Sequence, residues 1–446
     1  MKVILAGAGE VGFHLAKLLS FEQHDIILID NDDEVLEYAA SHLDVGVLKG
    51  DCSSPSVMRK AEVQQADLVI TVTTSEKTNL ITSVLAKSMG AKRTIARVTN
   101  PEYIADINKH YIAELGVDNL ISPTYLAGKE IHRLLERTSV TDIFEFEEGR
   151  VSLFGITIDA SSPIVNQTLE QISFNVNHKE YKLVAILRGH RTILPTSSTV
   201  LKSFDHLYFI TKTERFDDIM QMVGKEKRTV KDVMILGGSA VAYETARQLE
   251  SDYRVKLFEP NKEACAAYSE RLDNTLIIYG QPGNTELLKE EGVEQMDVLI
   301  ALTPSNETNI LSCLMGKELG VYKTIALVEN IEYTYLSQNI GVDTIINKKL
   351  IAANNIFRFV RKGNIEALTG LVGVNAEIIE YIVSKNNRAT KKPISELHLS
   401  DKIVFASVIR DGVAYFPAGD FKMKLGDKVI VLAQDDAIAQ IDKLLR

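Results

Sequence analysis

Short apolar runs recur through the first hundred residues, separated by stretches with helical spacing. KVILAG, DIILID, VGVLKGD, DLVITVT and RTIARV are β-rich and almost continuously apolar, whereas EVGFHLAKLLS and EKTNLITSVLAKSMG place apolar residues at helical intervals. Strands that are apolar on both faces are buried on both, and their alternation with helices makes βαβ units, so the pattern predicts a parallel sheet covered by helices. The segment SPTYLAGKEIHRLLER (122–137) then reads as a connecting helix. Ser122 caps it, Pro123 starts it, and Ala127, Ile131, Leu134 and Leu135 share one face. Beyond it the period falls to two. SLFGITID, KLVAILR, RTILP and HLYFITK predict a small β-rich domain over 152–212, with a hairpin at RGHR.

The whole plan then repeats. Residues 50–103 align without gaps on residues 280–333, an offset of 230, placing Gly50 on Gly280, Asp67 on Asp297, Thr73 on Thr303 and Asn79 on Asn309. So long a period marks a duplicated domain pair rather than a solenoid. The second connecting helix is NKKLIAANNIFRFVRK (347–362). The second β-rich set is AEIIEYIV, IVFASVIR, VAYFP and DKVIVLA, with a hairpin at RDGV, and GKEKRT (224–229) links the halves. The predicted fold is α/β, with two tandem Rossmann-like doubly wound parallel sheets, each followed by a small α+β domain. The expected boundaries are 1–137, 138–224, 230–362 and 363–446.

The candidate chemistry lies where the first strand meets the first helix. Residues 7–12 read GAGEVG. In such a motif Gly7 permits the tight turn, Gly9 lets backbone approach a pyrophosphate, and Gly12 lets helix and strand pack closely. Ala8, Glu10 and Val11 complete the loop, whose phosphates would sit on the helix N-terminus. Asp30 ends the next strand, 18 residues past Gly12, where an acid accepts from ribose hydroxyls and disfavours a 2′-phosphate. NAD(H) or an adenosine nucleotide is therefore expected rather than NADP(H). Asp51, with Cys52 beside it, follows the third strand and either contacts adenine or ribose or caps a turn. Thr73 and Thr74 follow the fourth strand and either face the ligand or cap the next helix. Arg97 ends the fifth strand, where a guanidinium fork suits a terminal phosphate or a surface ion pair.

The second copy departs at several of these positions. Gly237 is kept, but Ser239 and Ala242 stand where the first copy has Gly9 and Gly12, Glu259 replaces Asp30, Gln281 replaces Asp51, and Leu327 replaces Arg97. Gly237 and Glu259 remain candidate contacts of a weakened second site.

Composition narrows the function class. The 446 residues, at roughly 150 per domain, allow about three domains. Apolar residues make up 45% and charged residues 25%, the mix of a globular protein. A net charge of −10 argues against nucleic acid as the main partner. Cys52, Cys265 and Cys313 lie far apart, which fits a reducing compartment and no zinc site. The opening apolar run is too short for a signal peptide, and no run reaches the roughly 18 residues of a membrane span. His14 lies in the first helix, His24 and His42 fall in or beside loops, and no nucleophile–base arrangement stands out, so no catalytic or metal-binding residue is assigned.

The chain also resembles a known family. MKVILAGAGEVG, LID, GD, ADLVITVTTSEKTNL and TIARV resemble the N-terminal part of RCK (KTN) domains, and the small β-rich segments resemble their C-terminal part. Two tandem copies are similar to the regulatory subunits of bacterial Trk potassium uptake systems. The resemblance implies a non-enzymatic cytoplasmic regulator that binds NAD(H), ATP and ADP through Gly7, Gly9, Gly12, Asp30, Asp51, Thr73 and Arg97. It also implies a homotetrameric ring beneath a TrkH-type membrane potassium channel subunit, peripheral to the inner face of the membrane. Two other readings stay open, an NAD-dependent oxidoreductase and a nucleotide-sensing regulator of another transporter.

Overall fold

In the computed structural model the first 136 residues alternate strand and helix: β1 (Lys2–Ala6), α1 (Glu10–Ser20), β2 (Asp25–Asp30), α2 (Asp33–His42), β3 (Gly46–Lys49), α3 (Pro55–Lys60), β4 (Leu68–Thr71), α4 (Glu76–Ser88), β5 (Thr94–Arg97), α5 (Asp106–Glu114), β6 (Asn119–Ile121) and α6 (Pro123–Glu136). The structure describes residues 1–20, 24–147, 149–174, 180–189, 191–225, 228–330, 333, 340–360, 365–370, 374 and 376–445. Parts of three expected features lie outside this set, namely the tip of the RGHR turn, part of GKEKRT and the last two residues of 347–362.

The first sheet runs β3-β2-β1-β4-β5-β6, with every recorded pairing parallel. Strand order reverses between β1 and β4, and in open parallel sheets the crevice at such a switch point is where ligands bind. Val3, Ile4, Leu5 and Ala6 are fully buried, as are Leu68, Val69 and Ile70 beside them. Burying each large aliphatic side chain stabilises the fold by about 1.5–3 kcal/mol. Ile4, Ala6 and Val69 join Met58, Val63 and Ala86 from the flanking segments in one core.

The first small sheet contains β7 (Asp142–Phe146), β8 (Val151–Thr157), β9 (Tyr181–Arg188), β10 (Arg191–Ile193) and β11 (His206–Lys212), with helices α7 (Leu169–Phe174) and α8 (Phe216–Met222). Its antiparallel order is β10-β9-β11-β8-β7. The second Rossmann-like part repeats the first with β12 (Asp232–Leu236), α9 (Ala240–Leu249), β13 (Arg254–Glu259), α10 (Lys262–Ser269), β14 (Thr275–Tyr279), α11 (Thr285–Glu290), β15 (Val298–Ala301), α12 (Asn306–Glu318), β16 (Lys323–Leu327), β17 (Thr344–Ile346) and α13 (Lys348–Val360). Its sheet order is β14-β13-β12-β15-β16-β17. The last part holds β18 (Ile365–Gly370), β19 (Glu377–Ile382), α14 (Arg388–Lys391), β20 (Ile403–Arg410), β21 (Val413–Tyr415), β22 (Lys428–Ala433) and α15 (Ile438–Leu445). Its order, β18-β19-β22-β20-β21, is that of the first small sheet. At the RDGV hairpin Asp411 and Gly412 both have positive φ, 51° and 76°, as a two-residue primed turn requires.

The chain divides into two compact units. One is Met1–Lys129 with Asn347–Val360, and the other is Glu130–Ile346 with Arg361–Arg446. The connecting helix of the second half, α13, therefore belongs to the unit of the first Rossmann-like sheet and packs on α1. Within the second unit the two small sheets share one core, in which Val184, Ala185 and Tyr208 meet Ile378, Ala406 and Ile430. Lys323, at the start of β16, is buried and donates to the carbonyls of Leu134 (3.2 Å) and Val140 (2.7 Å).

Candidate functional site

The turn from β1 into α1 depends on its glycines. Gly7 has φ +108°, and its N–H donates to the Ile29 carbonyl at 2.8 Å. A Cβ at Gly7 would stand 2.9 Å from the Thr73 backbone nitrogen, so any side chain would force the β4 edge away. A Cβ at Gly12 would collide with the Gly7 carbonyl oxygen. Gly9 differs from both, because a Cβ there would meet nothing within 4 Å. The loop is thus closed on its inner side and open over its middle glycine, at the first turn of α1, where backbone N–H groups lack intrahelical partners. Ala8 and Val11 are buried and pack inward, while Glu10 is exposed.

Asp30, at the end of β2, holds this loop. Its Oδ2 accepts from the Ala8 N–H at 2.6 Å, and its Oδ1 accepts from the Asp32 N–H at 3.1 Å. The carboxylate therefore shapes the loop as well as standing at the carboxyl edge of the sheet, a duty that spacing alone did not reveal. Asp51 is exposed, and its Oδ1 accepts from the Ser53 hydroxyl (2.7 Å) and N–H (2.8 Å), which together hold its carboxyl below the usual range. Cys52 points inward. Its thiol is buried against the Thr82 hydroxyl, 3.5 Å away, and burial raises its pKa, so it is no reactive thiolate.

A buried asparagine organises the opposite wall. Asn79 Oδ1 accepts from the Thr73 N–H (2.9 Å) and hydroxyl (2.7 Å), while Nδ2 donates to the Thr73 carbonyl (3.1 Å) and the Arg97 carbonyl (2.9 Å). This arrangement engages the Thr73 hydroxyl internally and favours the capping reading of that segment. Thr74 is exposed, and Ser75 caps α4 by accepting from the Thr78 N–H. Arg97 is half-buried at the end of β5. Glu76 accepts from the Thr99 N–H and hydroxyl and from the Asn100 N–H; burial pushes its carboxyl up, but these donors outweigh it and hold the pKa low. The β4 and β5 ends are thereby locked together beside the cradle.

One residue of this neighbourhood comes from the far half of the sequence. Lys349, in the first turn of α13, pairs with the Glu10 carboxylate at 2.7 Å. Its signal in the sequence was slight, two lysines at the start of a helix, where the dipole disfavours cations.

The second copy keeps the scaffold and closes the cradle. Asn309 repeats the hub, bonding Thr303 and the Leu327 carbonyl. The positive φ has moved from the first glycine of the motif to Gly238, at +95°. This different loop path accommodates Ala242, fully buried at the position where the first copy admits no Cβ. Ser239 caps α9 itself. Its hydroxyl donates to the Leu302 carbonyl at 2.5 Å and accepts from the Ala242 N–H at 3.3 Å. A donor that a phosphate would use is thus engaged by the protein. Glu259 is buried and accepts from the Gly238 and Asn261 N–H groups, while Leu327 is buried where Arg97 stands in the first copy.

Among the described residues the one histidine within α1, His14, offers no proton-transfer group to the first cradle. Burial, aided by Lys17, lowers the His14 pKa to about 4, so the imidazole is neutral at physiological pH. Among the described residues no group of His, Cys, Asp and Glu is arranged to hold a metal ion, and no helix is long and apolar enough to cross a membrane.

A parallel sheet with a glycine loop at its first crossover and an acid closing its second strand defines a dinucleotide-fold protein, here in tandem. The TrkA-N domain model matches residues 3–123 and 233–348, and the TrkA-C domain model matches residues 153–224 and 378–446. The Trk system potassium uptake protein TrkA homolog 2 of Methanosarcina mazei is 31% identical over 456 residues, covering 100% of both chains. The Trk system potassium uptake protein TrkA of Haemophilus influenzae is 31% identical over 452 residues, covering 100% of this chain and 99% of its own. Among solved structures, the GsuK RCK domain superposes with a TM-score of 0.58 at 15% identity over 99% of this chain and 94% of that one. The GsuK channel bound to NAD gives 0.58 at 14% identity, over 100% and 78%. The chain belongs to the TrkA family of Trk potassium uptake proteins, built from RCK-type TrkA-N and TrkA-C domains.

Proposed function

We propose that this chain is the nucleotide-binding regulatory subunit of a Trk-type potassium uptake system, and not an enzyme. It binds NAD(H), ATP or ADP in the first Rossmann-like cradle and couples occupancy to a TrkH-type membrane channel subunit. It works as a homotetramer in the cytoplasm, held at the inner face of the membrane by that partner. The observation that carries this reading is the contrast between the two cradles. The first is open over Gly9, with Asp30 fixing Ala8, and the second is closed by the Ser239 hydroxyl. One half receives a ligand on a scaffold the other half shares, which suits a sensor. The curated relatives named as Trk uptake proteins, and the GsuK channel structures described as bound to NAD and to ADP, support the system and the ligand class.

A regulator requires ligands that stabilise its states unequally. A phosphate tail that lengthens from ADP to ATP supplies such a difference at Arg97 and the α1 N-terminus. Calorimetric titration of the intact chain with NADH, NAD, ATP and ADP tests the reading. Binding of at least one is expected; no heat from any of the four would exclude it, and a change in cofactor absorbance on incubation with candidate substrates would favour an NAD-dependent oxidoreductase instead.

A further inference from the structure

The pair between Glu10 and Lys349 is unusual on three counts. Glu10 lies within the glycine motif, at the start of α1, where the anion of a ligand would land. An exposed carboxylate beside a pyrophosphate repels it, so its presence in a phosphate cradle works against binding. Lys349 lies in the first turn of α13 beside Lys348, with no acidic residue in that turn. Cations there oppose the helix dipole. The backbone end of α13 is already capped, since Asn347 Oδ1 accepts from the N–H groups of Lys349 (3.0 Å) and Leu350 (3.1 Å). Glu10 is favoured by the dipole of α1 but would face a bound anion, Lys349 opposes the dipole of α13, and the two sit 2.7 Å apart on two packed helices of one compact unit. Sites where local rules are broken on rigid scaffolds tend to be functional.

We infer that Lys349, supplied by the second half of the chain, is a phosphate-binding residue of the first half's nucleotide site, held by Glu10 until a ligand's phosphates take it over. This rests on the nucleotide reading of the first cradle. Without ligand, the ammonium and carboxylate neutralise each other. With a polyphosphate in the cradle, the ammonium gains a more highly charged acceptor, and Glu10 is left facing anions. The exchange depends on ligand charge. The two phosphates of NADH are esterified on both sides and carry about one charge each, whereas the terminal phosphate of ATP adds further negative charge. Lys349 therefore favours ATP over NADH. Its movement acts on α13, the helix that precedes β18 in the chain. Nucleotide charge is thereby read by a segment of the other half, a link invisible to either sequence copy alone.

The test is calorimetric titration of the full chain with ATP and with NADH, using wild type, Lys349→Met, Lys349→Arg and Glu10→Gln, each checked by thermal unfolding. Lys349→Met should weaken ATP by about tenfold, the scale of one charge-assisted contact, and NADH by clearly less. Lys349→Arg should restore the wild-type preference, and Glu10→Gln should tighten ATP. An unchanged ratio of ATP to NADH affinity in Lys349→Met overturns the inference and leaves the nucleotide site standing. Equal weakening of both ligands with a lowered melting temperature assigns Lys349 a structural role only and also overturns it. A wild-type chain that binds neither nucleotide overturns the site itself, and the inference with it.

Discussion

Asn79 and Arg97 are joined by a hydrogen bond of 2.9 Å from the asparagine side-chain nitrogen to the arginine carbonyl, and Asn309 makes the same bond to Leu327 at 2.9 Å. Both asparagines are buried, at 1% exposure, and both also saturate a threonine at the end of the fourth strand of their sheet. The scaffold of the site thus survives in the copy whose cradle has closed.

Replacing either asparagine by alanine strands buried partners, so Asn79→Ala and Asn309→Ala should each lower stability by about 2 kcal/mol. Urea unfolding checks the cost. Only Asn79→Ala should also weaken nucleotide binding, because only there does the hub support an open cradle.

Gly12→Ala places a methyl group against the Gly7 carbonyl and should abolish nucleotide binding while destabilising the first sheet. The reciprocal change, Ala242→Gly, should cost about 1 kcal/mol of helix stability and leave binding untouched. Titration and unfolding of the two variants together test whether the third glycine matters only where the loop takes the Gly7 path.

Lys323 gives a pH signature. Burial lowers its pKa from 10.5 to about 8 in the folded chain, with Asp343 and Asp142 partly offsetting the shift. Between those values the unfolded chain binds more protons, so this lysine makes stability rise with pH from about 8 to 10.5. Below pH 8 the folded state bears the full cost of the buried ammonium. Urea midpoints at two pH values within the window should rise in the wild type, and Lys323→Met should show a smaller rise. Lys182, also lowered to about 8 by burial, supplies the part that remains.

Arg97→Ala should remove discrimination between ATP and ADP in calorimetry, because a guanidinium fork at the carboxyl end of β5 suits the terminal phosphate of a triphosphate. Unchanged relative affinities would assign Arg97 to the scaffold.

Much of this architecture was legible in the chain. Central strands such as KVILA and DLVIT are apolar throughout because both faces are buried, and the duplication exposed the tandem plan directly. The strands that periodicity missed are edge strands: β6 is three residues long, β7 carries charges at Asp142 and Glu145, and β18 carries Glu366 and ends at Gly370. The glycine cradle was legible because its residues are contiguous. The bond from Ala8 to Asp30 and the engagement of Thr73 by Asn79 were not, since a residue's type does not say which of two partners it will take. Lys349 was out of reach for a different reason, lying hundreds of residues from Glu10 and brought there only by the placement of α13.

We propose one nucleotide site per chain, in the first cradle. Gly9→Val tests it most directly, because a Cβ there meets nothing within 4 Å and a branched side chain would occupy the space where the pyrophosphate would sit. In calorimetric titration the wild type should bind one nucleotide per chain, and Gly9→Val should bind none while its melting temperature stays at the wild-type value. Two sites per wild-type chain, or full binding retained in Gly9→Val, would contradict the account.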